Sequence, residues 1–387
     1  MEPIQLAAVL AALVLVASMV SVELGITVAL IELTLGVLAG NAFDLQSQEW
    51  LDFIAAFASI VLTFLAGMEV DTEYMRDRAR ATIGLGVASF AGPFVVAALV
   101  CYLALDWSGR ASLIAGTALS TTSLAVVYAV LVERDLSDTR IGKLLMSATF
   151  VTDLCTALAL SAIFLKPNLW FPAFLVASLA LIVLLPRIAP WFFGRYGDRV
   201  IEPEIKLVFA SLLVLMVLAE ASNGHAVLPA FVLGLMMSRH YEEHREEQTR
   251  LRVVAFAFLT PFFFLKGGLN VSLEAVFANL GLLAVLLAAK MVPKLGLVYP
   301  LARRAAPRHA TFSTLLMSTG LTFGTISALF GLNAGIIDTT QFSLLVTVVV
   351  LSAVVPTAIA ERWFLPDAEQ ERHEERSHAP VPAEEYI

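Results

Sequence analysis

Apolar runs of roughly 20 residues, separated by short polar stretches, repeat along nearly the whole chain. A helix needs about 20 such residues to cross the hydrocarbon core of a bilayer. The pattern therefore predicts about 13 membrane-spanning helices, at residues 4–20, 24–40, 51–68, 82–105, 111–132, 141–165, 169–193, 205–222, 226–238, 253–268, 273–300, 310–330 and 341–361. The ninth is short. The polar connections alternate in charge. One set carries Arg76, Arg78 and Arg80; Arg134, Arg140 and Lys143; Arg187, Arg195, Arg199 and Lys206; Arg239, Arg245, Arg250 and Arg252; and Arg303, Arg304 and Arg308. The opposite set holds little beyond Arg110 and Lys166. Basic loops stay on the cytoplasmic side, so an odd number of spans puts the N-terminus outside and the C-terminus in the cytoplasm. A missed span would scramble the alternation, which therefore checks the count. After Leu365 the sequence becomes polar, PDAEQERHEERSHAPVPAEEYI, and residues 366–387 read as a disordered acidic tail behind a transmembrane domain of residues 1–365.

Composition agrees with this reading. Of 387 residues, 59% are hydrophobic and 15% charged, where a soluble protein carries about 25% charged residues; the mean hydropathy is +0.82. The net charge of -8 comes partly from the tail, and the basic residues are scattered in short loops, so no nucleic-acid partner is expected. Cys101 and Cys155 fall inside apolar runs and suggest neither a disulfide framework nor a metal site. The first run follows Glu2 without Lys or Arg, which suits a first span better than a signal peptide. No G-x-G-x-x-G segment follows the last span, so neither a nucleotide-binding domain nor a cofactor is expected.

Against this background a few polar residues stand out. Asp153 lies near the middle of the sixth predicted span, where an acid costs about 2.5–3.5 kcal/mol on insertion scales and is functional by default. Thr149, Thr152, Asp153 and Thr156 follow i, i+3, i+4, i+7 spacing, so they form a stripe of oxygen atoms on one helical face. Oxygen donors suit hard cations such as Na+. The preceding span has Ser120, Thr121, Thr122 and Ser123 in a row, and the twelfth has Ser318-Thr319-Gly320 and Thr322-Phe323-Gly324. One polar, interrupted span in each half is the pattern of broken helices that cross at a transporter's midplane. Glu32, Glu69, Glu220, Lys266, Lys290 and Lys294 also fall within or at the ends of spans. The bland readings are an ion pair between Asp153 and a lysine, snorkelling lysines, and close helix packing by hydroxyls. Acid, oxygen stripe and two interrupted spans together favour an ion pathway.

Five stretches in order carry a resemblance: FLAGMEVD (64–71), GTALSTTSLAVV (116–127), SATFVTDL (147–154), GHAVLPAFVLGLMMS (224–238) and LTPFFFLKGGLNVSL (259–273). The chain resembles, over most of residues 20–360, the monovalent cation:proton antiporter-2 family, which includes Kef-type potassium/proton proteins and bacterial sodium/proton exchangers. The resemblance implies an all-α inverted-repeat bundle. Two crossed, unwound helices would lie in a core domain, here helices of about 51–165 and 253–330, beside a separate domain that forms a homodimer. It makes Asp153 the shared site of H+ and of Na+ or K+, with Thr152 in the place of the family's first paired residue. Thr152, Thr122, Ser123 and Thr149 become cation-binding residues with Asp153, and Lys294 the charge-compensating one. Lys290 and Lys266 stay open as the lysine that faces Asp153. Glu69, Lys266, Thr121, Ser120, Thr319 and Glu32 are accessory candidates. Two departures matter. The first acid of the pair is missing, and an Arg-Gly-Glu stretch of some relatives reads Thr319-Gly320-Leu321. Kef-type gating would need a separate regulatory subunit.

The expected activity is secondary antiport, with no enzymatic chemistry, in the inner membrane. One carboxylate holds a proton or a cation but never both, and one such group favours electroneutral exchange. The alternatives are a Kef-type K+ efflux pathway or channel and a sodium-coupled solute symporter. A membrane-embedded enzyme would need a catalytic constellation, and the sequence offers none.

Overall fold

In a bilayer every backbone N–H and C=O must be satisfied within the protein, so apolar runs of this length fold as helices. The computed structural model describes residues 2–24, 27–43, 45–68, 72–134, 136–137, 139–164, 168–197, 199–222, 225–367 and 369. These residues form helices α1 (Pro3–Leu24), α2 (Val28–Phe43), α3 (Glu49–Met68), α4 (Thr72–Asp77), α5 (Ala79–Leu103), α6 (Gly109–Ser120), α7 (Leu124–Glu133), α8 (Arg140–Phe164), α9 (Phe171–Tyr196), α10 (Pro203–Ala221), α11 (Val227–Glu243), α12 (Arg245–Val254), α13 (Thr260–Leu269), α14 (Leu273–Ala278), α15 (Leu280–Ala305), α16 (Ala310–Met317), α17 (Thr322–Asn333) and α18 (Thr339–Trp363). A π-helical turn, Ala255–Leu259, joins α12 to α13.

Every predicted span coincides with a helix or a pair of helices. Among the described residues, ten helical segments are long and apolar enough to cross a membrane, and Val28–Phe43 is a shorter apolar helix. The chain is a multi-pass membrane protein. The count of thirteen crossings further requires α10, which carries Glu204, Lys206 and Glu220, and the 17-residue α11. Most of the predicted tail lies outside the described residues.

Packing sorts the helices into two groups. In one, α5–α8 pack with α15–α18; in the other, α1–α3 pack with α9–α13. The groups touch mainly through α8, against α11 and α3, and through α14 against α18 and α15. Helices α3 and α13 pack mainly with α11 and α2, while α18 packs on α15, α16 and α17. Burial separates the central from the peripheral helices. In the most apolar window of Pro307–Asn333, 83% of residues are buried, against 17% in that of Phe171–Tyr196.

The inverted repeat shows in an exchange of partners: α2 packs on α13, and α3 on α11. Both seams use the same device. A Cβ on Gly36 would overlap the carbonyl oxygen of Leu265, and one on Gly268 that of Leu33. A Cβ on Gly67 would overlap the carbonyl of Phe231, and one on Gly234 that of Phe64. In each seam, every helix offers a glycine to the carbonyl lying three residues before its partner's glycine. The backbones then approach without side chains between them, as small residues permit in membranes.

This reciprocity is testable. Gly67→Val or Gly268→Val must push two backbones apart and is expected to destabilise the protein by about 1–3 kcal/mol or more, read as a lowered thermal midpoint in detergent. Gly84 and Gly281 face open space, so Gly84→Ala and Gly281→Ala should leave that midpoint unchanged or slightly raised.

Candidate functional site

Both polar interruptions break their helices. Between α6 and α7, residues 121–123 leave the helix, with Thr121 extended at φ -64°, ψ 153°. Between α16 and α17, residues 318–321 do the same, and Leu321 lies at φ -149°, ψ -74°. The two stretches meet. Thr122 Oγ1 donates to the Met317 carbonyl at 2.9 Å, and the Ser123 amide faces Thr319 Oγ1 at 3.5 Å. Glycine allows the approach: a Cβ at Gly324 would lie 3.0 Å from the Ala118 carbonyl oxygen, and one at Gly320 would strike the Lys290 ammonium.

An unwound helix leaves backbone carbonyls without helical donors, and inside a membrane that is costly. Lys294, fully buried on α15, answers this need. Its ammonium donates to the Met317 carbonyl at 2.7 Å, the Thr121 carbonyl at 2.9 Å, Thr122 Oγ1 at 3.0 Å and Ser89 Oγ at 3.1 Å. Four oxygens thus share three protons, and one side chain ties both broken helices to α5 and α15. Ser89 also lies 3.2 Å from the Met317 carbonyl and 3.2 Å from Thr122 Oγ1. Lys290, one turn away and equally buried, reaches the Thr121 carbonyl at 3.4 Å.

Asp153 stands on α8 beside this crossing, 1% exposed. The carboxyl lines a cavity of about 350 Å³ together with Leu65 of α3, Leu124 and Tyr128 of α7, Arg252 of α12, Phe264 of α13 and Thr322 of α17. The cavity therefore lies at the seam between the two helix groups. The Arg252 guanidinium sits 5.7 Å from the centre of the Tyr128 ring. A second cavity, of about 420 Å³, opens on the same seam between Phe53 and Ile60 of α3, Leu213 of α10 and Phe330 of α17, next to His225 and Glu220.

The oxygen stripe on α8 divides. Thr149 Oγ1 donates to the Leu145 carbonyl at 2.9 Å and touches Met317 Sδ at 3.7 Å, at the crossing. Thr152 turns towards α5, with Oγ1 3.1 Å from the Ala148 carbonyl and 3.3 Å from that of Gly86. Thr156 Oγ1 donates to the Thr152 carbonyl at 2.9 Å. Thr121, Thr122, Ser123, Thr319 and Lys294 come together, and Ser120, at the end of α6, bonds to the Thr117 carbonyl at 2.9 Å. Lys266 does not join them. It reaches Asp52 at 2.8 Å, and Ser47 also bonds that carboxylate. Glu32 is buried on α2, one turn from Val28 and Ala29, which line the Asp153 cavity. Glu69 lies outside the described residues.

Three participants were not singled out in the sequence. Ser89 sits in GVASFAGPF (86–94) and resembles an ordinary small residue at a helix contact. Tyr128 and Arg252 read as part of a span and of a basic loop; only the fold brings them near Asp153. No group of three or more His, Cys, Asp or Glu residues that could hold a metal occurs among the described residues. The available chemistry is that of one buried carboxylate near neutral oxygens, reached through a cavity, which can hold a proton or a hard monovalent cation.

Comparison with known proteins places this geometry. The family model described as "Sodium/hydrogen exchanger, transmembrane" matches residues 8–364. The "Probable Na(+)/H(+) antiporter 3" of Methanocaldococcus jannaschii is 27% identical over 336 residues, 83% of this chain and 86% of that one. The Cation/H(+) antiporter 18 of Arabidopsis thaliana is 24% identical over 368 residues, 88% of this chain and 45% of that longer one. The solved structure of the sodium proton antiporter MjNhaP1 from Methanocaldococcus jannaschii at pH 8 superposes with a TM-score of 0.67 at 12% identity, over 93% of this chain and 97% of that one. That likeness extends to the whole helical fold.

Lys294 gives a test. If it closes the crossing, Lys294→Met strands the Thr121 and Met317 carbonyls at about 1–3 kcal/mol each and lowers the thermal midpoint. If it only balances the charge of Asp153, the double variant with Asp153→Asn would regain wild-type stability. The expected outcome is that the double variant remains destabilised.

Proposed function

The chain belongs to the sodium/hydrogen exchanger family, and on that footing we propose that it is a secondary antiporter exchanging Na+ or K+ for H+ at Asp153. The observation that carries this reading is an almost fully buried carboxyl that lines a cavity at the seam of two helix groups, beside two crossed helix breaks. A carboxylate taken from water is unstable unless it gains a proton or a cation. Proton and cation compete for it, and competition at one site is the chemistry of exchange. Thr149, Thr122 and Ser123 supply neutral oxygens nearby, and Thr152 supports α8 through Gly86.

The basic residue Arg252 marks the Asp153 cavity as cytoplasmic under the positive-inside rule. The second cavity then marks the outer end of the same seam. Alternating access is movement of the α5–α8 and α15–α18 group against the other, closing one end and opening the other. The N-terminus lies outside, the C-terminus in the cytoplasm, and the protein sits in the inner membrane. The exposed apolar faces of α1 and α9, with Leu15, Met19, Leu175, Val176 and Leu179, suit lipid and a second copy in a homodimer.

Lys294 supports the electroneutral form. Its protons are engaged by four oxygens that hold the crossing together, so releasing one at each cycle would loosen both broken helices. Asp153 then carries one H+ against one cation.

The decisive experiment follows luminal pH in proteoliposomes when NaCl or KCl is added outside. Wild type should move protons in response, and Asp153→Asn should show none of this response. Unchanged exchange in that variant would remove Asp153 from the site, and cation flux without proton movement would instead indicate a channel. Competition further predicts that, where the site is mostly protonated, the apparent KM for the cation rises about tenfold per unit fall in pH. An imposed membrane potential should leave the rate unchanged; a rate that follows the voltage would refute one-for-one exchange.

A further inference from the structure

Glu32 lies in α2 between Ile31 and Leu33, 1% exposed, and its Oε2 has no hydrogen-bond partner among the described residues. An acid within a membrane is costly and functional by default. Its place on the helix is informative. Val28 and Ala29 line the Asp153 cavity. Glu32 follows them at i+4 and i+3, so it continues the same helical face one turn deeper. Helical side chains lean toward the N-terminus, which directs the Glu32 carboxyl back over the turn of Val28 and Ala29. Beyond Glu32 the seam closes. A Cβ on Gly36 would overlap the Leu265 carbonyl oxygen, and Phe264, the residue before Leu265, is itself a cavity wall. Glu32 therefore stands where the cavity ends and the seam between α2 and α13 begins.

The two helices packed on α2 are α1 and α13. Lys266 on α13 pairs with Asp52, in the first turn of α3. The charged residue of α1, Glu23, is exposed near its end. Asp153, Tyr128 and Arg252 lie among the other walls of the cavity. A cation site would need further oxygen donors, and the side chains that share the face of Glu32, those of Val28, Ala29 and Leu33, offer none. A proton needs only the one carboxyl. We propose that Glu32 is a proton-carrying residue of the exchange reaction, a relay between Asp153 and the cytoplasm. The inference rests on the reading of Asp153 as the exchange site. Glu32 gives its proton to water at the cavity mouth, and its carboxylate then accepts the proton leaving Asp153 through cavity water. Glu32 ends neutral, Asp153 ends as the carboxylate that takes the cation, and one proton has reached the cytoplasm. The reverse sequence loads Asp153. The balance of one proton for one cation is unchanged.

The test compares two exchanges by the full chain in proteoliposomes, with whichever of Na+ and K+ wild type exchanges. One is cation against H+; the other is labelled against unlabelled cation, which moves no proton. Glu32→Gln should slow the first by about tenfold or more and leave the second near the wild-type rate. Glu32→Asp keeps the acid and should recover most of the loss. Glu32→Met replaces a buried polar group that has no partner, so it should fold at least as stably as wild type and show the same split. Unchanged cation/proton exchange in Glu32→Gln would overturn the proposal. Equal slowing of both exchanges would mark Glu32 as structural and overturn it too, as would failure of both Glu32→Gln and Glu32→Met to fold. Asp153→Asn, measured in parallel, should lose both exchanges. If it keeps both, the exchange-site reading itself fails, a result distinct from failure of the relay, which leaves Asp153→Asn inactive.

Discussion

The structure depends on how two helices can be broken inside a membrane. Each break exposes carbonyl oxygens with no water to receive them, and a single lysine resolves the problem for both. Lys294 donates to Thr121 on one unwound stretch and to Met317 on the other, and to two hydroxyls between them. Because the ammonium needs acceptors as much as the carbonyls need donors, neither cost stands alone. Helices α5 and α15, which carry Ser89 and Lys294, are thereby fixed around the crossing, and Asp153 is held at its side.

Asp153 borders this crossing from α8, 1% exposed. The crossing brings the hydroxyls of Ser89 and Thr122 and the Thr121 and Met317 carbonyls together with the ammonium groups of Lys290 and Lys294. The position of Asp153 at the seam matters equally. The cavity walls come from both helix groups, Leu65 and Phe264 on one side and Leu124 and Thr322 on the other. The hydrogen bonds described at the crossing join residues of one group only.

Much of this was legible in the sequence, for physical reasons. Hydrocarbon thickness imposes span length, so the helices followed from apolar run length alone. Ser120–Ser123 and Ser318–Gly320 announced the breaks because hydroxyls and glycine are what an interrupted helix tolerates. Asp153 announced itself by its cost. What was hidden depended on carbonyls and register. Lys290, Lys294 and Lys266 look alike in a sequence, yet the first two reach the crossing while the third meets Asp52. Ser89 carries no signal, since its partners are a lysine 205 residues away and a backbone oxygen. The similarity of FLAG (64–67) to LKGG (265–268) becomes meaningful only when each glycine is seen against its partner's carbonyl.

The reciprocal glycine seams also set a timetable for biogenesis. The surface of α3 around Gly67 is complementary to α11, and that of α2 around Gly36 to α13. A ribosome making about 5–20 residues per second takes roughly 10–30 seconds to travel from Gly67 to Gly234. For that interval the early helices wait in the bilayer with a narrow bare strip of backbone facing lipid. A nascent chain of this design cannot settle half by half, and its first half stays open to mistaken partners until the second arrives.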